Sequence, residues 1–489
     1  MKINLVKKEM EYSEIGEIRS SFMDDGEDDE YLEPSSPTGE YYSSSSLSVS
    51  ILGVLEFEIP IDDSPTKSLL KNVFIPIHRR FSSLLVTGKN GEKHWKKVTV
   101  NLDDHIKVPL LEEGLPVEYY DEYFNEYLSK MAMERLPQSR PLWEIHLFKY
   151  PTSNAAGIIV FKLHHALGDG YSLMGALFSC LQRSDNPSLP LSFPKIRPDD
   201  HMNKKTKNVL EILSLLKNTI TDFTWSLWKS NMLEDQASPI RSAKEDVDFR
   251  PVSISTVTFS LDQIKEIKAK LGATINDVMV GIIFYGIRLY METTSKDSGN
   301  ARATALVVLN TREITTYQSI KDMAKPETKG AWGNSFAFFH VSIPDAPNVD
   351  TSDPLEFVFE SKKTITMKKN SLGVYLTGKF LELMRKLRGP EETSKYIRNI
   401  FWKSSLCISN MIGPLEKMSL ANHPVKGLYF MPVNDPVSLF LTMMSYLGKM
   451  RIGVGVEKEL INHKLFCTCL EKAFERIFEA AMGSSSVSS

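Results

Sequence analysis

Apolar positions change their spacing repeatedly along this chain, and each change marks a predicted element. From 47 to 59, larger apolar side chains alternate with Ser48, Ser50 and Gly53, the two-residue period of a strand. Ser64-Pro65 opens a helix to about residue 73, followed by a strand over 95–100 and a helix over 120–136. Residues 141–147, Pro-Leu-Trp-Glu-Ile-His-Leu, predict another strand. A short turn leads from it to Ile158-Ile159-Val160-Phe161, an unbroken apolar run that reads as a buried strand. A helix is predicted over 171–182. Strands and helices interspersed in this way make a mixed α/β chain.

The stretch 184–250 breaks that rhythm. It begins as a Pro-interrupted basic linker and becomes helical, with Val209, Leu210, Ile212, Leu213, Leu216, Ile220, Phe223, Leu227 and Trp228 at helical spacing. Such a helix either packs on the protein's own surface or lies in a membrane interface, with Lys204, Lys205, Lys207, Lys217 and Lys229 near anionic headgroups. Glu211 and Asp222 argue against its spanning a bilayer. Alternation then resumes: a strand over 254–261, a helix over 262–271, and a long helix to 290 that Thr274 caps with Asp277 three residues on. Strands are predicted at 304–309, 335–343, 405–409 and 437–445, and a last helix over 458–481. The pattern divides into a tail (1–46), a first unit (47–183), the linker and helix (184–250), a second unit (251–482) and a short end (483–489). Two units of similar make-up suggest a cleft between them.

Composition adds a few constraints. The chain has 489 residues and a net charge of −3, which selects no partner class and gives no reason to expect nucleic acid. Residues 1–40 carry 12 acidic and 4 basic side chains, and with the serine run at 43–46 they predict a disordered segment. The four cysteines are too few for a disulfide framework and suit a reducing compartment; Cys467-x-Cys469 reads as helix packing. The first ten residues lack the apolar stretch of a secretory signal, and no uninterrupted apolar run reaches the roughly 18 residues of a spanning helix.

The chemistry concentrates where the 158–161 strand ends, in Lys162-Leu163-His164-His165-Ala166-Leu167-Gly168-Asp169-Gly170. A neutral imidazole at a strand end can accept a proton from an alcohol. Adjacent strand residues face opposite ways, so one histidine faces the cleft and the other packs behind it; for the same reason the pair and Asp169 do not readily share a metal ion. The loop Asp holds the turn and Gly168 and Gly170 ease it. Acyl transfer is the chemistry this arrangement suggests.

Five runs together narrow the field: Pro141-Leu142-Trp143-Glu144, the His164–Gly170 motif, Asn276-Asp277-Val278, Leu309-Asn310-Thr311-Arg312 with Gly333-Asn334, and Ser409-Asn410-Met411-Ile412-Gly413-Pro414. From about 47 to 482 the chain resembles the plant wax ester synthase/diacylglycerol acyltransferase family, within the CoA-dependent acyltransferases. The resemblance implies two chloramphenicol-acetyltransferase-like subdomains with the active-site cleft or tunnel between them. It implies transfer of a long-chain acyl group from acyl-CoA to a fatty alcohol or to diacylglycerol, with no cofactor, since acyl-CoA is itself a substrate. His165 becomes the general base, His164 a supporting residue, and Asp169 the residue that orients the loop. Asn276 becomes a candidate oxyanion donor beside Asp277, although both also fit simple helix capping. Gly170, Trp143, Asn310, Arg312 and Asn334 become candidate substrate contacts, and Trp143 fits a core anchor as well. The family further implies a membrane surface as partner, that of the endoplasmic reticulum on its cytosolic face, with the plasma membrane as a second location. Tyr171 is bulkier than expected after Asp-Gly and would narrow an acceptor channel. The competing expectations are a non-catalytic acyl-CoA- or lipid-binding protein, and transfer to a soluble alcohol or amine; the Asp-Phe-Gly-Trp-Gly run that marks the latter group is absent.

Overall fold

The computed structural model describes residues 32–88, 92–194, 209–242, 250–295, 301–310, 332–334, 336–346, 349, 352–369 and 371–483. Among these residues three sheets form. A small one joins β1 (Leu32–Pro34), β4 (Lys93–Lys97) and β3 (Ser83–Thr87). A seven-stranded sheet runs in the order β5 (Ile106–Lys107), β6 (Trp143–Phe148), β7 (Gly157–His164), β2 (Ser50–Phe57), β14 (His423–Val433), β13 (Met418–Leu420), β8 (Leu181–Arg183). A six-stranded sheet runs in the order β11 (Phe336–Ser342), β10 (Thr304–Asn310), β12 (Leu406–Met411), β15 (Leu439–Tyr446), β16 (Lys449–Glu457), β9 (Val252–Ser260). β2 and β7 are buried on both faces, as their continuous apolar content requires.

The helices cover these sheets. They include α1 (Pro37–Tyr41), α2 (Val117–Met133), α3 (Gly170–Ser179), α4 (Val209–Met232), α5 (Leu261–Leu271), α6 (Ile275–Thr294), α7 (Pro354–Lys369), α8 (Gly373–Trp402) and α9 (His463–Gly483). α6 starts with the capping box read from the sequence: Asp277 N–H donates to Thr274 Oγ1 at 3.1 Å, and Asp277 Oδ2 accepts from Thr274 N–H at 2.8 Å. It is buried from Asp277 to Met291, which its almost wholly apolar surface demands.

The two units are less separate than the sequence suggests. β13 and β14 come from the second unit, yet they complete the sheet of the first, with β14 antiparallel to β2 from Phe57↔Val425 to Ser50↔Val433. Arg451 on β16 forks onto the Glu56 carboxylate at 2.6 and 2.8 Å, binding one large sheet to the other. Close approach also needs Gly455, where a Cβ would meet Met431 Sδ at 2.7 Å.

Two further expectations are corrected. Residues 32–46, which the composition assigned to a disordered tail, carry structure: Ser36 caps α1, Tyr41 and Tyr42 are buried, and Ser45 and Ser46 donate to Glu391 Oε1 at 2.6 and 2.7 Å. Two buried tyrosines and these serine bonds offset the entropy that the acidic, Ser-rich composition alone would not. Lys229 of α4 does not face outward. It is fully buried, donates to Asp235 Oδ1 and to the Lys403 carbonyl, each at 2.8 Å, and anchors α4 to the end of α8. Lys204, Lys205, Lys207 and Arg312 lie outside the described residues.

Candidate active site

β7 delivers the histidine pair. His164 is its last residue, paired with Ser50 of β2, and lies behind the strand. Its Nδ1 accepts from Ala166 N–H at 3.1 Å, so its proton sits on Nε2, 3.2 Å from Ser48 Oγ. Burial, with the charges of Lys93 and Lys162 nearby, pushes its pKa down to about 3 and keeps the ring neutral. Lys162, pointing the same way as His164, donates to the carbonyls of Met131 and Glu134 at 2.8 and 2.6 Å and ties β7 to the end of α2.

His165 takes the opposite side. Its N–H donates to the Val49 carbonyl at 2.9 Å, and its ring stacks on Tyr42, with centroids 4.6 Å apart, and tilts against Phe336 at 5.2 Å. Burial lowers its pKa, while the Asp169 carboxylate and the Asn334 side chain act in the other direction. The ring is therefore neutral at pH 7 and able to accept a proton.

The loop after His165 is held from the far half of the chain by Trp332-Gly333-Asn334. Trp332 stacks on His78 at 4.3 Å and donates from its indole to the Leu167 carbonyl at 3.0 Å. The Gly333 carbonyl accepts from Asp169 N–H at 3.1 Å and from Ser172 Oγ at 2.9 Å. Gly333 sits at φ 122°, in the region that favours glycine. Asn334 Nδ2 donates to the His165 carbonyl at 3.1 Å. Asp169 is the N-cap of α3, its Oδ1 accepting from Ser172 N–H at 3.0 Å. Gly170 packs closely on Met411, whose Sδ a Cβ there would meet at 3.1 Å.

His165 opens onto a cavity of about 840 Å³, its mouth included, between the two large sheets. Apolar and aromatic side chains make most of the wall, among them Tyr42, Tyr171, Val308, Phe336, Phe401 and Phe440. Ser409, Asn310, Asn410 and Asp435 supply polar points. An apolar cavity with a few convergent polar groups and one neutral imidazole suits a lipid chain whose reacting end must be oriented.

Comparison with known proteins accords with this arrangement. A family model described as the wax ester synthase/diacylglycerol acyltransferase catalytic domain matches residues 66–279, and one described as the WS/DGAT C-terminal domain matches residues 332–478. The Arabidopsis thaliana wax ester synthase/diacylglycerol acyltransferase 9 is 30% identical over 92% of this chain and 96% of its own length. The chain belongs to the wax ester synthase/diacylglycerol acyltransferase family. Member 4 from the same plant is 29% identical over 92% of this chain and 91% of its own. In three dimensions the fold resembles the family's enzyme from Marinobacter aquaeolei VT8, at TM-score 0.57 and 14% identity, covering 92% of this chain and 100% of that one. It also resembles the cyclization-docking bidomain of a nonribosomal peptide synthetase from Sorangium cellulosum, at TM-score 0.56 and 12% identity over 92% and 85% of the two chains.

Against this family frame, the structure brings some expected site residues together and separates others. His165, Asp169, Gly170 and Asn310 line one cavity, and Asn334 holds the loop beside it. Trp143 does not reach it. That ring is fully buried, donates to the Phe81 carbonyl at 2.8 Å and is packed between Phe74 and His105, so it is a core anchor. Asp277 spends its carboxylate on the α6 cap. Asn276 is not among the residues that line the cavity; its Oδ1 accepts at 3.3 Å from Asn410, which does line it. Each amide nitrogen carries two hydrogens, so Asn410 still has one to donate beside the cavity. Tyr42, Trp332 and Phe336 were missed. No local signal marked them, because their relation to His165 exists only after folding.

Proposed function

We propose that this chain forms long-chain esters at the His165 cavity. In this reading His165 takes the proton of a fatty alcohol or diacylglycerol hydroxyl while that oxygen attacks the acyl-CoA thioester carbonyl. The C–O bond forms, the C–S bond breaks, and the proton passes to the departing CoA thiolate. General base catalysis contributes about 10²–10⁴-fold. Alignment of two substrates in the cavity and amide donors at the oxyanion supply the remainder.

The observation that carries this reading is a neutral imidazole on the wall of an apolar cavity between two sheets. The apolar lining favours a lipid acceptor over a soluble alcohol or amine, and an intact loop around His165 favours catalysis over mere binding. Purified His165→Ala supplied with palmitoyl-CoA and hexadecanol, or with diacylglycerol, is expected to release less than a tenth of the wild-type free CoA while melting at the same temperature. Activity above that level excludes the general-base role. Equal rates with a short soluble alcohol and with hexadecanol would exclude the lipid preference.

We also infer a membrane surface as the partner, that of the endoplasmic reticulum first. Among the described residues no single helix is long and apolar enough to cross a bilayer; α5 and α6 meet the criterion only together, bent by 100°. A surface face supports the reading. α4 presents Ile220 at 66% exposure and Met232 at 77%, and the packed leading turns of α8 present Tyr375 at 62% and Leu387 at 74%. Lys217, Lys379, Lys386 and Arg388 are exposed among them, able to rise to headgroups while the apolar side chains enter. Because α4 also carries the buried Lys229–Asp235 and Asp222–Lys368 pairs, removing it would break the fold. The sharper test is Leu383→Asp with Leu387→Asp, which should abolish flotation with phosphatidylserine-containing vesicles. Unchanged flotation would remove this face from the reading.

A further inference from the structure

The polar groups of the His165 cavity are unevenly placed. Asn310 and Asn410 are exposed, so they mark its mouth. Asp435 is different. It is half-buried in the loop between β14 and β15, and its charge reaches Tyr42 and Cys407, which also line the cavity. Phe440 pairs with Cys407 across the second sheet, and Phe401 and Phe430 line the same cavity. This is an apolar setting for a carboxyl group, which loses hydration there unless something bonds to it.

Strand register fixes where Asp435 stands relative to the base. His164 pairs with Ser50 of β2, and Ser50 pairs with Val433 of β14, so the three form one row across the sheet. β7 and β14 both run antiparallel to β2 and therefore end at the same edge. His165 follows one end and Asp435 the other, on strands two spacings, or roughly 10 Å, apart. Strands that far apart set the two side chains beside different parts of a bound substrate.

Asp435 Oδ1 accepts from Val437 N–H at 3.1 Å, and among the described residues nothing holds Oδ2. Burial raises the pKa of this carboxyl to about 7 against the pull of Arg250, so near neutral pH a large share of it carries a proton. A protonated carboxyl donates, and an ester carbonyl is an acceptor that fits among apolar walls. A fatty alcohol has no polar group beyond its hydroxyl. Diacylglycerol has two ester carbonyls within a few bonds of its free hydroxyl. We propose that Asp435 binds an ester carbonyl of diacylglycerol and so sets this chain's preference for diacylglycerol over a fatty alcohol as acceptor. The proposal rests on the acyl-transfer reading above and deepens it at one residue.

The test gives the full chain palmitoyl-CoA and three acceptors: dioleoylglycerol, its dialkyl ether analogue, and hexadecanol. The ether analogue keeps the free hydroxyl and both chains but has no carbonyl. Wild type is expected to use the diacyl acceptor with a kcat/KM about tenfold above the dialkyl one, the upper range for a neutral hydrogen bond. Asp435→Ala should bring these two within about twofold and lower the ratio of dioleoylglycerol to hexadecanol by about tenfold. Asp435→Asn retains an acceptor for Val437 N–H and a donor for the carbonyl, so it should keep most of the discrimination. Equal use of the diacyl and dialkyl acceptors by wild type overturns the proposal, and so does undiminished discrimination in Asp435→Ala. The wild-type comparison needs no variant and decides even where Asp435→Ala does not fold. If wild type releases no CoA with any acceptor, the acyl-transfer reading falls. Equilibrium binding of the two glycerides in detergent micelles then judges the subsite separately. Tighter diacyl binding that Asp435→Ala abolishes sustains it, and equal binding of the two overturns it.

Discussion

Asp169 combines two functions that one pair of substitutions can separate. Its carboxylate caps α3 through Ser172 N–H at 3.0 Å, and it also supports the protonated form of His165. Asparagine is as good an N-cap as aspartate, whereas alanine is not. Asp169→Asn should therefore keep the loop and lose the charge, while Asp169→Ala loses both. Ser172 is fully buried, so removing the acceptor leaves its N–H without water, and the cost falls at the upper end for a cap, about 2 kcal/mol. An unfolding entropy of roughly 2 cal/mol/K per residue gives about 1 kcal/mol/K for a chain this size, so Asp169→Ala should melt about 2 °C lower. Displacing the loop that carries His165 should cost about 100-fold in kcat. Asp169→Asn should melt within 0.5 °C or so of wild type. Its acid limb in a plot of kcat/KM against pH should move to lower pH, because a less supported imidazole holds its proton less tightly. Differential scanning fluorimetry and a CoA-release assay across pH 5–9 read both effects. Equal damage in the two variants would refute the capping argument and make the charge itself the holder of the loop.

Three further outcomes are expected. Tyr42→Phe retains the ring stacked on His165 and should leave kcat within about threefold, whereas Tyr42→Ala opens the cavity wall and should lower it more than tenfold; similar rates for the two would remove Tyr42 from the site. Trp143→Ala should cost about 3–5 kcal/mol of stability yet leave KM for acyl-CoA unchanged at temperatures well below its melting point, and a raised KM would return Trp143 to the substrate. His340 is buried with neither ring nitrogen partnered, and burial holds its pKa down at about 3. Because the unfolded chain takes up that proton near pH 6.5, the native state loses about 1.4 kcal/mol per pH unit between 6.5 and 3 from this ring alone. His340→Leu should flatten the acid side of the urea midpoint against pH; parallel curves for variant and wild type would show that His340 does not contribute.

What could be read from the sequence was local. The strand before His165 announced itself as a β-branched apolar run cut off by glycines, and Thr274-x-x-Asp277 marked the start of α6. The division of labour between the histidines followed from strand alternation, and His164 and His165 do take opposite partners. The β14 segment was not legible because Pro424, Gly427 and Pro432 break up any alternation, and its partner β2 lies at the other end of the chain. α8 was hidden by Gly389-Pro390, where the backbone leaves helical geometry at φ 85° and then continues as helix. Trp143 could be read either as a substrate contact or as a core anchor, and the Phe81 carbonyl that receives its indole N–H decides for the core. Tyr42 lies in an acidic, serine-rich stretch whose composition concealed a wall of the cavity.

The entry of β14 beside β2 bears on how the protein is made. One side of β2 remains an unpaired ladder until residue 433 has left the ribosome. At about 5–20 residues per second that delay lasts tens of seconds, long compared with collapse of the nascent N-terminal half. Through that interval a long apolar strand edge is open to pairing with any neighbouring chain. The first 250 residues expressed alone are therefore expected to aggregate through that open edge.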